Sequence, residues 1–135
     1  MQLIHSKTFT VTKDHLDELN HVNNVQYVYW VEEAAAEHWN LLKNLTPYKN
    51  DFWVLMDHHL QYKKQVFLGE EMTVKTYPEN PEGLKQPRRV EFYVNGVLVV
   101  DSRTLWVLFD GETKSVKRMA SNWLDELKKR VENNS

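Results

Sequence analysis

The chain contains no cysteine, which excludes disulfide scaffolds, thiolate catalysis and cysteine-ligated zinc. Glycine and proline are scarce, four of each in 135 residues. The glycines (Gly69, Gly83, Gly96 and Gly111) stand alone, so no glycine-rich phosphate loop exists. No run of about 18 apolar residues is present, which excludes a membrane-spanning helix. The opening MQLIHSKTFTVTK alternates polar and apolar residues and lacks the apolar centre of a signal peptide. Neither sign of charge dominates; the formal net charge is −2, which gives no electrostatic footprint for nucleic acid or an anionic membrane. The expectation is a soluble cytoplasmic protein. What is present is 41% hydrophobic residues with 12% aromatics, enough to build one folded domain over 1–135.

The periodicity predicts a strand, a long helix and then more strands. Residues 3–12 alternate and are rich in β-branched side chains, as a strand requires. Asn23 or Asn24 offers a cap for the helix that follows. From there Val25, Val28, Ala35, Trp39 and Leu42 recur at steps of three, four and seven, an apolar stripe with Glu32 inside it. The helix is expected to stop near Asn44, before Pro47. Beyond it the period becomes two. Phe52, Val54, Met56, Leu60, Tyr62 and Val66 predict one buried face of a long strand. MTVKTY (72–77) repeats the alternation, and the proline-rich 78–87 reads as a mobile loop. Asn95-Gly96 predicts a tight hairpin and Asp110-Gly111 a second turn. Ser121 is a candidate cap for a closing helix carrying Leu124, Leu127 and Val131.

One helix followed by consecutive antiparallel strands suits two α+β architectures. In a hot-dog fold the antiparallel sheet wraps one long central helix. A cone-shaped α+β barrel is the other, but it usually places several helices before its sheet. The element order favours the hot-dog.

Residues 17–24, DELNHVNN, are unusually polar for a helix entrance, and capping explains only one or two of the asparagines. Asp17, then His21-Val22-Asn23-Asn24, with Tyr27 three residues on, resembles the acyl-CoA thioesterases of the 4-hydroxybenzoyl-CoA thioesterase-like hot-dog superfamily. Leu60-Gln61-Tyr62, Leu68-Gly69-Glu70 and the 96–108 hairpin follow the family's order more loosely. The pattern usually has glycine before the histidine. Here it is Asn20, the non-glycine residue that best tolerates a left-handed backbone.

The resemblance implies hydrolysis of an acyl-CoA thioester to free acid and CoA. Thioester hydrolysis builds negative charge on the carbonyl oxygen, and a helix amino terminus offers unpaired N–H groups and a positive dipole end to meet it. By the family pattern the Asn24 amide is that donor. Asp17 acts as nucleophile through a mixed anhydride or as general base on water, since an aspartate is ordinarily ionised at neutral pH. As a lone loop residue Asp17 would simply bind turn amides. His21 polarises the thioester, orients Asp17, or only braces the turn. Asn20 and Asn23 shape the substrate's approach, and Tyr27, like Trp30, either packs or touches substrate. The alternatives to an acyl-CoA thioesterase are hydrolysis of acyl-carrier-protein thioesters and a non-catalytic acyl-binding hot-dog protein.

His58 and His59 are adjacent, so a strand sends them to opposite faces; His58 falls on the apolar one, as a pocket residue or a hydrogen-bonded structural one. No metal-ligand spacing occurs, and neither metal nor cofactor is expected, coenzyme A being part of the substrate. Lys63, Lys64, Arg88 and Arg89 are candidates for the CoA phosphates, with solvated surface charge as the plainer reading. The resemblance further implies a homodimer or homotetramer with sites built between chains. No nucleic-acid or membrane partner is expected.

Overall fold

A computed structural model describes residues 3–134. Its elements are β1 (His5–Thr10), α1 (Asn24–Leu42), β2 (Phe52–Tyr62), β3 (Glu71–Pro78), β4 (Lys85–Val94), β5 (Val97–Phe109) and α2 (Trp123–Asn133), with short 3₁₀ turns at Lys13–His15 and Lys43–Leu45. The strands form one antiparallel sheet in the order β1-β3-β4-β5-β2. The long helix packs on its β3–β4 region, the arrangement expected of a hot-dog fold.

The core explains why α1 lies where it does. Tyr27, Trp30, Val31, Ala34, Ala35 and His38 are its buried residues, at the spacing that places them on one face. Tyr27, Trp30, Val31 and Ala34 share one core cluster with Met72 and Val74 of β3 and Val90 and Phe92 of β4. Each of Val31, Met72 and Phe92 is sealed from water, and burial of such a side chain contributes roughly 1.5–3 kcal/mol. The expected stripe is therefore corrected by rotation about the helix axis. Val25 is 72% exposed and Val28 stands at the surface, because the bulky Tyr27 and Trp30 take the interior instead.

The second strand corrects the alternation in the same way. A β-bulge lies between Leu55 and Asp57, where Met56 is the extra residue. Before it Trp53 faces the core; after it the parity flips and Leu60 does. The even-numbered Phe52 and Met56 are consequently exposed, while Tyr62, on Leu60's side of the strand, stacks on Tyr27 and stays partly open at the strand's end.

The Asn95-Gly96 hairpin forms as expected, with φ of 50° and 76°. The proline-rich loop is shorter than its composition suggested, since Lys85, Gln86 and Pro87 already belong to β4. The closing helix starts after Asn122, not Ser121, with no side-chain cap bond. It lays Trp123, Leu124 and Leu127 on Leu108 and Tyr48, a second core at the far end of α1. Among the described residues no helix is long and apolar enough to cross a membrane.

Candidate active site

The approach to α1 folds into a tight turn built on Asp17. The Asn20 N–H donates to the Asp17 carbonyl (3.1 Å), and Asn20 itself adopts φ 64°, the left-handed conformation its glycine-like place requires. The Asp17 N–H donates to the His21 carbonyl at 2.8 Å. One carboxylate oxygen, Oδ1, accepts from the N–H groups of Leu19 (2.9 Å) and His21 (3.2 Å). The other, Oδ2, has no hydrogen-bond partner among the described residues. The turn thus engages one carboxylate oxygen and leaves the other uncommitted.

Val22 closes the next link by donating its N–H to the Val66 carbonyl at 2.9 Å, and Asn23 donates to the His15 carbonyl at 2.9 Å. These bonds fix the direction in which α1 begins. Asn23 is its cap: the side-chain oxygen accepts from Val25 (3.0 Å) and the carbonyl from Gln26 (2.9 Å). The amide between them, that of Asn24, is the first of the helix and has no partner among the described residues. It carries the positive end of a 19-residue helix dipole.

Asp17, His21, Asn24, Tyr27, Tyr62 and Lys63 all line one cavity of about 420 Å³. The His21 ring stands edge-on to Phe67, 5.3 Å between centroids, and makes no hydrogen bond among the described residues. Tyr27 is 2% exposed, yet its hydroxyl is a buried polar atom with no partner among the described residues. Burial, with smaller contributions from Tyr62 and Glu70, holds the phenol protonated far above the usual range.

Other expected site residues lie elsewhere. Asn20 is exposed and serves the turn, and Asn23 serves the helix. His58 is bonded to Ser102 Oγ at 3.2 Å, and its burial lowers its pKa against the opposing pull of Glu32 and Asp57. Arg88 sits under α1, not at the mouth of the Asp17 cavity, and donates to His38 and Thr76. Arg89 pairs with Asp101 and Glu79. Lys63 and Lys64 do reach the Asp17 cavity.

Two features went unread in the sequence. Tyr62 donates its hydroxyl to the Asn24 carbonyl (3.4 Å) and stacks edge-on to Tyr27 at 5.7 Å. A second cavity, of about 330 Å³, lies under the carboxyl-terminal half of α1 and is lined by four of the five tryptophans. The tryptophan content was the one available signal.

The sequence profile of the thioesterase-like superfamily matches residues 11–131. The chain belongs to that superfamily. Its fold is shared with a probable thioesterase, YbaW, from Escherichia coli (TM-score 0.78, 22% identity, 93% of this chain and 98% of that one). A predicted thioesterase from Bacillus stearothermophilus is as similar (0.78, 21%, 94% and 96%). The DHNA-CoA thioesterase of Staphylococcus aureus shares the fold at a lower TM-score (0.72, 19%, 97% and 93%). A search of curated protein sequences finds no match to this chain. Membership in this thioesterase-like superfamily, together with thioesterases as structural neighbours, supports thioester hydrolysis as the activity class.

Proposed function

We propose that this superfamily member hydrolyses an acyl-CoA thioester to the free acid and CoA. The observation that carries the reading is the pairing, in one cavity, of an unpartnered helix-terminal amide on Asn24 with an uncommitted carboxylate oxygen on Asp17. The Asn24 amide receives the thioester oxygen and stabilises the negative charge that develops there. Asp17 Oδ2 then has two routes. As nucleophile it bonds to the carbonyl carbon, the C–S bond breaks, CoA leaves as thiolate, and water hydrolyses the resulting anhydride. As general base it takes a proton from the water that attacks instead.

Lys63 and Lys64, on the cavity wall, suit the phosphates of CoA, and the Staphylococcus aureus neighbour is itself a thioesterase of a CoA ester. No cofactor enters this reaction, and His21 and Tyr27 bound the acyl carbonyl's surroundings; among the described residues neither side chain bonds to Asp17, which His21 holds through its backbone N–H alone. Acyl-carrier-protein thioesters are the competing substrates. The assembly we propose is a homodimer, because β2 is an edge strand and α1 turns Val25, Val28 and Tyr29 outward.

The test is thiol release from a panel of acyl-CoAs, free of protein background because the chain has no cysteine. Turnover is expected, with Asp17→Asn and Asp17→Ala reducing it by at least about 10²-fold while the fold persists. Undiminished turnover in both variants would remove Asp17 from the reaction. Release from acyl-carrier protein but from no acyl-CoA would reassign the substrate.

A further inference from the structure

The second cavity holds a charge that no acidic side chain among the described residues neutralises. Arg88, on β4 opposite Thr104 of β5, extends beneath α1 into the cavity wall. Its Nη1 donates to His38 Nδ1 and to Thr76 Oγ1, each at 2.9 Å. A guanidinium has no acceptor, so His38 Nδ1 carries no proton in that bond and brings no offsetting charge. Nε and Nη2 make no hydrogen bond among the described residues.

The nearby carboxylates do not supply a counter-ion. Asp51 lines the same cavity but accepts from Lys117 (2.8 Å) and from the Gly111 N–H (3.0 Å). Glu33 and Glu37 are held by Lys7, both at 2.5 Å. Glu32 lines the cavity and forms no ion pair with Arg88 among the described residues. Lys43 and Lys49 on the lining add further positive charge.

The geometry points to a binding site for an organic carboxylate with an apolar body, and we propose that ligand class for it. The rings of Trp39, Trp53, Trp106 and Trp123 form the walls for the body, and the free donors of Arg88 take the carboxylate in a bidentate pair. A volume of about 330 Å³ is within the range of small-molecule sites. Arg88 is half-buried and has no counter-ion among the described residues, and a bound carboxylate supplies one. Desolvation lowers Arg88 only to about 10, so it is charged at neutral pH. A purely structural role, clamping His38 and Thr76, accounts for Nη1 and leaves the other donors unexplained.

Two sources supply such a group. One is a free carboxylic acid. The other is the far end of the acyl chain itself, the thioester lying at Asn24, about 18 Å away along α1 at 1.5 Å per residue to Ala36; that source rests on the proposed hydrolase reading, and the first does not.

Tryptophan emission reads the site directly. Titration with octanoate and with its neutral amide, octanamide, is expected to show the carboxylate binding about tenfold more tightly or better. Arg88→Met is expected to abolish that preference, and Arg88→Lys to retain part of it. Equal binding of the two probes to the wild-type protein overturns the proposal without any variant, as does a preference that survives Arg88→Met. Thiol release from dodecanedioyl-CoA and dodecanoyl-CoA separates the sources. A preference for the ω-carboxylate that Arg88→Met erases assigns the site to the acyl chain; equal rates, with the octanoate preference intact, assign it to a free acid. No release from either thioester, or from any other, counts against the hydrolase reading and leaves the emission result standing.

Discussion

Arg88 donates to His38 Nδ1 at 2.9 Å beneath α1, and because arginine only donates, the histidine is held as the neutral acceptor. His5 stacks on the same ring at 5.6 Å between centroids. Burial, then the charges of Arg88 and His5, depress the His38 pKa to about 3.

The sign of the consequence follows from linkage. The unfolded chain takes up a proton near pH 6.5 that the folded chain refuses until about pH 3, so stability is lost as pH falls through that window. One such proton gives a slope of about 1.4 kcal/mol per pH unit. His38→Gln keeps an acceptor for Arg88 and cannot titrate. Denaturant melts from pH 3 to 7 are expected to be flatter for the variant by that slope. Parallel curves would show that His38 titrates normally.

Asn20 gives a second prediction. Its φ of 64° is the conformation a Cβ resists, at a cost of about 1–2 kcal/mol. Asn20→Gly is expected to leave the melting temperature nearly unchanged. Asn20→Val is expected to lose about 1 kcal/mol or more and to reduce turnover, since this turn holds the Asp17 backbone. Equal stability in the two variants would show that the left-handed turn is not required.

These residues also mark what was legible in the sequence. Asn20 was readable as a left-handed turn and Asn23 or Asn24 as the cap, Asn23 being the one that serves, because both are local decisions of three or four residues. The helix and the hairpin at Asn95-Gly96 were readable for the same reason. Which face of α1 is buried was not, since apolar residues occupy both sides and only the sheet decides between Tyr27 and Val28. Met56 defeated the strand alternation because a bulge leaves no periodic trace in a chain of eleven residues. Arg88 looked like surface charge; its place beneath the helix depends on the β4–β5 register. The Asp17 turn was visible, and the cavity of four tryptophans from four distant segments was not.

Tyr27 separates stability from activity. Its hydroxyl is buried without a partner among the described residues, an arrangement that costs about 1–3 kcal/mol. Tyr27→Phe removes the orphan and keeps the ring contacts with Trp30 and Phe92. The melting temperature is expected to hold or rise. If the hydroxyl is completed by the acyl thioester, turnover falls about tenfold at the same time. A variant that is both less stable and less active would show that the hydroxyl serves the fold.

Gly111 tests the packing between the β5 turn and the β2 approach. Its N–H donates to Asp51 Oδ1 at 3.0 Å, and a Cβ placed there would lie 1.8 Å from the Asn50 carbonyl oxygen. That oxygen belongs to the backbone and cannot swing away. Gly111→Ala is expected to destabilise by about 1–3 kcal/mol, read in urea melts, with the Asp17 cavity unaffected. A neutral Gly111→Ala would mean the two turns are farther apart in solution.

The sheet edge bears on assembly. Among the described residues β2, eleven residues long, pairs with β5 and has no strand on its other side, so its outer backbone edge is open to a partner. Met56, at its bulge, is 59% exposed, and Tyr29 of α1 is 60% exposed. Two copies joined at this edge by a twofold axis would satisfy both strands at once and cover the outward side of α1. Sedimentation is expected to find the dimer at micromolar concentration. Met56→Lys places a charge on the bulge and is expected to shift the equilibrium toward monomer, as charged edge residues do in natural sheets. If Asp17 cavities are completed by the second chain, turnover per chain then falls upon dilution of the variant at concentrations where the wild-type rate is constant. A monomeric wild-type protein that retains full turnover would show that each chain carries a complete site.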